Sequence, residues 1–305
     1  MKKIAIIGAK GFVGSNLYEY LKDKYEVYPI TREQFSVLDE KEVNSFFDGK
    51  KIDVVIHCAN QGGSRKTGYD QEKLDIIGNN LRMFFNLERC LNPNMKMISF
   101  GSGAQYDKAR ELNKIEEEDI GQFIPKDDYG YSKYILSKYI SKCNNIYSPI
   151  IFGLFGKYED YSFKFISNAI LKNILKMPIE INQNVVFDYL YLGDFLEIVE
   201  FLINNDYKNK EFNITPTDSI DLVTIAKYIN NCSTFKSEII VKRDGLNYKY
   251  TGSNKRLLQN FEKYSFTTYE DSIKELYQYY LENLDGINTE GIGRDEYLKN
   301  CNSKK

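Results

Sequence analysis

The amino-terminal stretch KIAIIGAKGFVG (3–14) constrains the fold more than any other part of the sequence. Its short apolar run ends in glycine and predicts a buried β-strand. Gly8, Gly11 and Gly14 then recur at every third position, which predicts a tight turn that opens a helix. Glycine lets the backbone approach a pyrophosphate at a helix N-terminus, so the loop predicts dinucleotide binding. A glycine turn required only for packing is the alternative interpretation.

The rest of the chain continues this alternation of apolar runs and amphipathic segments. Strands are predicted at 3–8, 26–31, 53–59, 95–101, 146–153, 211–215 and 237–242. Helices are predicted at 12–23, 40–48, about 70–91, about 129–144, 161–176, 194–204, 220–231 and 270–283. Strands that alternate with helices imply βαβ units. We therefore predict an α/β protein with a Rossmann-type doubly wound parallel sheet and a smaller mixed α/β C-terminal domain.

The predicted boundary between these two domains lies near residue 157. The first domain, which would bind the dinucleotide, covers 1–157 and regains a return strand and helix near 185–205. The smaller domain, which would bind the substrate, covers 158–184 and 206–297.

Composition argues against several classes of protein. The net charge of −2 argues against nucleic-acid binding by bulk electrostatics. The N-terminal apolar run has four residues, and no apolar run approaches membrane-spanning length, so neither a signal peptide nor a membrane segment is expected. Five scattered cysteines and the single histidine, His57, show no metal-ligand spacing, so no metal site is expected. Reduced cysteines indicate the cytoplasm.

The residues after the second strand bear on the choice between NAD and NADP. An acidic side chain there accepts the ribose 2′-OH of NAD, whereas an arginine accommodates the 2′-phosphate of NADP. The strand ends Thr31-Arg32, and Lys10 of the glycine loop is expected near the same place. Glu33 follows, but strand alternation would point its side chain to the other face. The two cations favour NADPH, and a plain surface cation is the alternative for Arg32.

Five Tyr-x-x-x-Lys pairs compete for a catalytic role. A tyrosine four residues before a lysine shares a helix face with it, and a nearby ammonium favours the phenolate form of a phenol. The chain contains 25 tyrosines, so the spacing alone selects none of the pairs. The five pairs are Tyr18/Lys22, Tyr20/Lys24, Tyr69/Lys73, Tyr129/Lys133 and Tyr134/Lys138.

Motifs along the first half of the chain resemble those of one family, in the same order. After the glycine loop come VIHCAN (55–60), FGSGAQY (100–106), YGYSK (129–133) and FGLFG (152–156). Together they resemble the extended short-chain dehydrogenases/reductases that act on nucleotide sugars, the epimerase/dehydratase family. Two further segments, 31–63 and 79–86, are similar to the GDP-L-fucose synthase-like C4 ketoreductases within that family. The segment 243–258 resembles the end region that sugar-nucleotide reductases and epimerases share.

The resemblance implies a catalytic set of three residues. Ser102, in the turn after a predicted strand, would donate a hydrogen bond to the substrate carbonyl oxygen. Tyr129 would give the proton, and Lys133 would stabilise the phenolate and bind the nicotinamide ribose. Asn80 would lie under the active site. Tyr134 lies over a turn further into the helix, so the resemblance favours the pair Tyr129 and Lys133.

The resemblance also implies contacts to NADPH and to a nucleotide sugar. The implied cofactor contacts are Gly8, Lys10, Gly11, Phe12, Val13, Gly14, Arg32, Val37, Leu38, Cys58, Ala59, Asn60, Asn80, Phe152, Gly153 and Leu154. The implied substrate contacts are Gly103, Ala104, Lys164, Lys172 and Arg243. The three cations would meet the diphosphate, and solvated surface positions are the alternative for them. A homodimer is expected, formed through the helix of Tyr129 and the helix near 70–91.

Catalytic residues of related enzymes that this chain lacks indicate which reaction the resemblance implies. Dehydratases of the family carry Thr-Asp-Glu where this chain has Ser102-Gly103-Ala104, so dehydration lacks its acid and base. Bifunctional epimerase/reductases use a cysteine at the position of Ala104 and a histidine that should fall near 160–168, and this chain has neither. We therefore predict NADPH-dependent reduction of a C4 ketone on a nucleotide-linked, first of all GDP-linked, 6-deoxy-4-keto hexose or heptose. The product would serve a bacterial surface polysaccharide.

Three alternatives to this reductase stay open. A nucleotide-sugar 4-epimerase uses the same serine, tyrosine and lysine with tightly held NAD. A bifunctional 3,5-epimerase/4-reductase would need a substitute for the missing histidine, and Lys164 is the one candidate. An NADP-binding regulatory protein would bind the cofactor without turnover.

Overall fold

A seven-stranded sheet runs through the computed structural model, which describes residues 1–63, 74–261, 264–299 and 301. The strands of this part of the chain are β1 (Lys3–Ile7), β2 (Glu26–Ile30), β3 (Val54–His57), β4 (Lys96–Ser99), β5 (Gly101–Ser102), β6 (Leu112–Ile115), β7 (Ile146–Ile151), β8 (Gly153–Phe155), β9 (Ile179–Asn184), β10 (Val186–Phe187), β11 (Tyr189–Tyr191), β12 (Glu211–Ile214), β13 (Ile220–Asp221), β14 (Ile239–Leu246) and β15 (Tyr250–Gly252). The α-helices are α1 (Phe12–Leu21), α2 (Glu40–Phe47), α3 (Ile76–Glu88), α4 (Asp128–Ile140), α5 (Phe165–Ile174), α6 (Leu192–Asn204), α7 (Leu222–Asn231), α8 (Lys255–Asn260), α9 (Tyr269–Glu282), α10 (Thr289–Gly293) and α11 (Glu296–Lys299). Short 3₁₀ helices occupy Gly103–Tyr106, Glu117–Asp119 and Leu284–Gly286.

The main sheet is parallel and has the strand order β12-β7-β4-β3-β1-β2, with β5 paired to β7. Its register aligns Ile6 with Ile56. Side chains alternate between the two faces of the sheet. Ile4 and Ile6 pack with α1 and α6, whereas Ala5 and Ile7 pack with α2, α3 and α4. Helices therefore cover both faces, and the predicted Rossmann-type doubly wound sheet is confirmed.

Pro29 lies in β2, the edge strand of this sheet. Proline lacks an N–H and cannot donate to a neighbouring strand, which weakens a strand in a sheet interior. At the edge only one side of the strand pairs, so the proline is tolerated beside Ile6 of β1.

The C-terminal part of the chain packs around a second core. Residues such as Ile170 of α5, Ile225 of α7 and Leu276 of α9 form its centre. Its strands form short sheets with the orders β13-β10-β15-β6 and β14-β9, the first of which includes β6 from the first half of the chain. The strand predicted at 211–215 is placed differently from the prediction: it is β12 and pairs with β7 in the main sheet, because Phe212 completes the core of that sheet. The domain boundary near residue 157 stays a prediction.

The apolar side chains of α3 belong to the core. Met83, Phe84 and Leu87 are buried with Leu136 of α4 against the sheet. They therefore pack inside the protomer, and the homodimer stays a prediction. The start of the predicted helix near 70–91, together with the pair Tyr69 and Lys73, lies outside the described residues.

Membrane-spanning helices and metal-ligand clusters are both absent from the described ranges. No helix in them has both the length and the apolar character that crossing a membrane requires. In the same ranges, no three His, Cys, Asp or Glu side chains come together as metal ligands would.

Candidate active site

The glycine loop joins β1 to α1 at the carboxyl edge of the main sheet. Gly8 has a left-handed φ of +85°, and its N–H and that of Ala9 both donate to the Ile30 carbonyl, at 2.9 and 3.0 Å. Gly11 is the N-cap of α1, and no described side chain caps the first N–H groups of this helix. Uncapped N–H groups at a helix N-terminus are the donors that a phosphate requires.

Different steric constraints explain why glycine occupies each of the three positions in this loop. A β-carbon at Gly14 would collide with the Gly8 carbonyl oxygen, and one at Gly8 would lie 2.8 Å from the Ala59 nitrogen. Packing therefore requires both of these glycines. A β-carbon at Gly11 would meet only the Gly8 oxygen, at 3.4 Å, and Gly11 is exposed. Packing does not account for Gly11, whereas the close approach of a ligand to the backbone would.

The loop after β3 links the glycine loop to α4. Asn80 on α3 holds this loop: its Oδ1 accepts from the Gln61 N–H at 2.9 Å, and its Nδ2 donates to the Gln61 carbonyl at 3.0 Å. The same Nδ2 donates to Ser132 Oγ at 3.1 Å, and the Ser132 hydroxyl donates to the Tyr129 carbonyl at 2.8 Å. The buried Asn80 thus joins the loop to the helix that bears Tyr129, while its contact with a cofactor stays a prediction.

Ser102, Tyr129 and Lys133 come from β5 and the first two turns of α4. The Lys133 ammonium donates to the Phe100 carbonyl at 2.8 Å and lies 5.8 Å from the centre of the Tyr129 ring. Ser102 Oγ accepts from the Ala104 N–H at 3.2 Å. A hydroxyl that accepts from the backbone keeps its own hydrogen for a further acceptor. The structure thus places the Lys133 ammonium near the Tyr129 ring, while the catalytic roles of Ser102, Tyr129 and Lys133 stay predictions.

Burial controls the charges beneath these residues. Desolvation lowers the pKa of Lys133 to about 8. At the end of β3, burial together with the nearby Lys133 charge lowers the pKa of His57 to about 3, so this imidazole is neutral. Burial also raises the pKa of the adjacent Cys58 thiol, which stays protonated. Of these three groups, Lys133 is the one whose charge changes just above neutral pH.

A cavity of about 620 Å³ is lined by both Ser102 and Tyr129. The other predicted site residues in its wall are Ala104, Phe152, Gly153, Leu154 and Lys164. Sequence reasoning missed four cations that also line it: Lys108, Arg110, Lys126 and Lys249. Together with Lys164 they make five cationic side chains. The described wall has three acidic side chains, Asp107, Asp127 and Glu159. Such a surplus of positive charge suits an anionic ligand. Nothing in the local sequence separates these four cations from solvated ones.

Three predicted substrate contacts lie outside this wall. Lys172 is buried, and its ammonium pairs with Asp295 at 2.7 Å, so the prediction of a diphosphate contact is wrong for this residue. Arg243 is exposed on β14, and its contact with a diphosphate stays a prediction beside the surface alternative. Gly103 is buried behind the wall, where a β-carbon would lie 2.5 Å from the Tyr250 hydroxyl oxygen. Close packing therefore explains the glycine at this position, and its contact with a substrate stays a prediction.

The side chains beside the glycine loop differ from the prediction at Glu33. Its carboxylate pairs with the Lys10 ammonium at 2.5 Å instead of pointing to the other face. The reason is that β2 ends at Ile30, so strand alternation does not extend to Glu33. Both partners of the pair are exposed, which makes it weak. Arg32 is exposed and forms no ion pair with any residue in the described ranges.

The other predicted cofactor contacts lie on three segments. Phe12 and Val13 form the first turn of α1, after the glycine loop. Val37 and Leu38 pack with the core, and the Val37 carbonyl accepts from Asn86 Nδ2 at 3.0 Å. Asn60, in the loop after β3, donates through Nδ2 to the Gly62 carbonyl at 3.0 Å. These cofactor contacts stay predictions.

The second Tyr-x-x-x-Lys pair of α4 lies away from the cavity. The Lys138 ammonium donates to the Ile120 carbonyl at 2.6 Å, and the Tyr134 ring stacks on Tyr131. Neither Tyr134 nor Lys138 lines the cavity in the described structure. This pair therefore supports local structure, and Tyr134 offers a matched control for substitutions of Tyr129.

Comparisons with known proteins identify the family. The family model described as the NAD dependent epimerase/dehydratase family matches residues 4–215. ADP-L-glycero-D-manno-heptose-6-epimerase from Brachyspira hyodysenteriae is 25% identical over 282 residues, which cover 81% of this chain and 86% of that protein. GDP-L-fucose synthase from Dictyostelium discoideum is 24% identical over 321 residues, which cover 93% and 97% of the two chains.

Solved structures share the fold. The GDP-mannoheptose C4 reductase from Campylobacter jejuni with NADP bound superimposes with a TM-score of 0.77 at 20% identity, over 92% of this chain and 98% of that chain. The family model spans more than half of the sequence, including the glycine loop and the segment of Ser102, Tyr129 and Lys133. The resemblance predicted from the motifs is confirmed: this chain belongs to the NAD dependent epimerase/dehydratase family.

Proposed function

We propose that the protein uses NADPH to reduce the C4 ketone of a nucleotide-diphospho-4-keto-6-deoxy sugar without epimerising C3 or C5. The supporting observation is that Ser102 and Tyr129 share one cavity wall, with the Lys133 ammonium 5.8 Å from the centre of the tyrosine ring. The residue at the epimerase cysteine position is Ala104, which has no proton to transfer. The product would be a sugar donor for surface polysaccharide synthesis.

Each residue of the set has a separate task in this reaction. Bound NADPH supplies the hydride. Ser102, whose Oγ accepts from the backbone, donates its own hydrogen to the carbonyl oxygen and polarises the ketone. Tyr129 transfers its phenolic proton to that oxygen as negative charge develops there. Lys133, held by the Phe100 carbonyl, stabilises the phenolate that remains.

The positive charge of the cavity wall favours a substrate that carries a nucleoside diphosphate. Five cationic side chains line it, and they come from the segments after β5, before α4, before α5 and before β15. A pyrophosphate group between these segments would be met from several sides. We propose GDP as the nucleotide because the compared fucose synthase and C4 reductase both have GDP in their names.

One observation favours a second candidate, epimerisation at C3 or C5 before the reduction. Glu159 lines the cavity but is buried, and its Oε2 accepts from the Ser167 hydroxyl at 2.6 Å. Burial raises the pKa of Glu159 to about 7, a value suited to general acid–base chemistry. Epimerisation needs an acid and a base on opposite sides of the carbon, and Ala104 leaves one of the two positions without a proton-transfer group.

Reduction in deuterated water distinguishes the two candidates. The protein is incubated with NADPH and a panel of GDP-, CDP- and dTDP-linked 4-keto sugars, and the products are analysed by mass spectrometry and NMR. We expect oxidation of NADPH and no deuterium at C3 or C5 beyond a control without enzyme. Deuterium at either carbon would reject reduction without epimerisation, and the variant Glu159→Gln should then lose the exchange and keep the reduction.

Two further outcomes would reject the reductase altogether. NAD that stays on the protein through purification, together with interconversion of 4-hydroxyl epimers, would identify a 4-epimerase. Binding of NADPH without turnover of any ketone in the panel would indicate a regulatory protein.

We expect kcat/KM for ketone reduction to fall by roughly tenfold per pH unit above pH 8, because the reaction needs the protonated ammonium of Lys133. Burial has lowered the pKa of this group to about 8, so the ammonium is intact below that pH and is lost above it. The measurement is kcat/KM between pH 6 and 10. In Lys133→Arg the guanidinium stays charged, so the residual activity should lack this decline. An unchanged decline in that variant would contradict the assignment to Lys133.

The variant Arg32→Ala should raise the Kd for NADPH by about 10- to 100-fold, the effect of losing a charged hydrogen bond, and change the Kd for NADH little. Arg32 has no competing carboxylate partner in the described ranges, so it is available to the 2′-phosphate. Glu33→Gln should tighten NADPH a few-fold because it frees Lys10. Arg89→Ala removes an exposed arginine directly after α3 and is the control. Equal weakening of both cofactors in Arg32→Ala would contradict the assignment of a 2′-phosphate contact.

A further inference from the structure

Gly63 packs on the ring of Tyr129, and both residues line the cavity. A β-carbon built on Gly63 would lie 2.5 Å from Cζ of Tyr129, 2.6 Å from Cε2 and 2.9 Å from Cε1. These carbons form the outer half of the ring, which bears the hydroxyl. The near equality of the three distances places Gly63 over the face of the ring, because a contact in the plane beyond Cζ would be much further from both Cε atoms.

The backbone at Gly63 also requires glycine. Its φ of +83° lies in the left-handed region, which residues other than glycine rarely adopt. Two other glycines have the same type of φ without any contact. An added β-carbon would have nothing within 4 Å at Gly49, with φ of +67°, or at Gly245, with φ of +76°. Alanine at these positions therefore measures the effect of the conformation alone.

The loop that carries Gly63 is anchored on α3. Asn80 binds both the N–H and the carbonyl of Gln61, and Asn79 Nδ2 donates to the Gln61 side-chain oxygen at 2.8 Å. Three hydrogen bonds therefore hold a residue only two positions before Gly63. Because the backbone is held in this way, a methyl group added at Gly63 would displace the aromatic ring more easily than the loop.

We propose that Gly63 is a positioning residue for Tyr129, whose ring it holds so that the hydroxyl stays in line with the carbonyl at the reacting carbon. The kinetic test of this inference rests on the proposed function, whereas a spectroscopic test is independent of that function. Proton transfer depends steeply on donor position, and a misplacement of about 1 Å can cost on the order of a hundredfold in rate. Because glycine has no side chain, its backbone can pack more closely against the ring than that of any other residue.

Gly63→Ala should lower kcat for ketone reduction by about 10- to 100-fold and leave the KM for NADPH within about twofold. Gly49→Ala and Gly245→Ala, which introduce the same backbone strain without a contact, should retain the wild-type kcat. Thermal unfolding of all three variants checks that the fold is intact. In the double variant Gly63→Ala/Tyr129→Phe, the residual rate should equal that of Tyr129→Phe alone, because the substitution at Gly63 acts through the phenol. Additive losses would overturn the proposal.

A second readout needs no substrate. 3-Fluorotyrosine placed at position 129 reports the surroundings of the ring by ¹⁹F NMR. Gly63→Ala should shift this resonance, whereas Gly49→Ala should not. Identical spectra for the wild type and Gly63→Ala would overturn the positioning role, whatever the substrate is. A shifted resonance in a protein that reduces none of the ketones would support the positioning role and reject only the proposed function.

Discussion

Replacing Tyr129 by phenylalanine should lower kcat for ketone reduction by about 10²- to 10⁴-fold, the range that a general acid contributes. The phenol lies in the cavity wall with Ser102, and the Lys133 ammonium lies 5.8 Å from the centre of its ring, so the variant removes the proposed proton donor. The ring and its packing against Gly63 are kept in the variant, so the Kd for NADPH should change by less than about twofold. Single-turnover oxidation of NADPH measures the first effect, and a fluorescence titration of NADPH measures the second.

The matched control is Tyr134→Phe, the same substitution five residues, or just over one helical turn, further along α4. Tyr134 stacks on Tyr131 and does not line the cavity, so its loss should leave kcat within about twofold. Similar losses in the two variants would reject Tyr129 as the proton donor and would instead point to a general role of α4 in stability.

The main sheet follows from local sequence, because its signals are short-range. The apolar run of β1, the glycines after it and the alternation of later strands and helices each depend on neighbouring residues. Burial on both faces then requires helices on both sides of the sheet. Even Pro29 agrees with this, since the strand order places its strand at the edge.

The differences arise where distant segments meet. Phe212 and Ile214 have the apolar character of any buried strand, and only the tertiary packing shows that they complete the main sheet. Lys172 resembles a surface lysine in the sequence, yet the C-terminal segment brings Asp295 to it. The prediction for the Glu33 side chain is wrong because the end of β2 depends on the turn that follows, and strand boundaries are the least certain part of a sequence prediction.

The candidate site shows the same division between local and distant signals. Ser102, Tyr129 and Lys133 were predicted from a family resemblance, and the structure brings them together from β5 and α4. The contact of Gly63 with Tyr129 joins residues 63 and 129, and no local pattern records it. The additional cations of the cavity were missed for the same reason, because a solvated lysine and a ligand-binding lysine have the same sequence signature.

Replacing Ser102 by alanine should lower kcat by about 10²- to 10³-fold, the effect of losing one hydrogen-bond donor to a developing oxyanion. The Ser102 hydroxyl accepts from the Ala104 N–H at 3.2 Å, so its own hydrogen stays available for another acceptor. Ser102 lines the cavity together with Tyr129, and in the proposed reaction that acceptor is the carbonyl oxygen of the substrate. The KM for NADPH should stay within about twofold, because Ser102 acts on the ketone.

The same substitution also removes the N-cap of the 3₁₀ helix Gly103–Tyr106, and a lost cap costs about 1 kcal/mol of stability. Ser102→Thr separates the two effects, since threonine keeps a hydroxyl that can both cap and donate. We expect Ser102→Thr to recover most of the lost stability and at least tenfold of the lost kcat. If Ser102→Thr recovered the stability but none of the rate, or if Ser102→Ala kept full activity, the hydroxyl would be a cap alone. Polarisation of the ketone would then have to come from Tyr129 acting without a second donor.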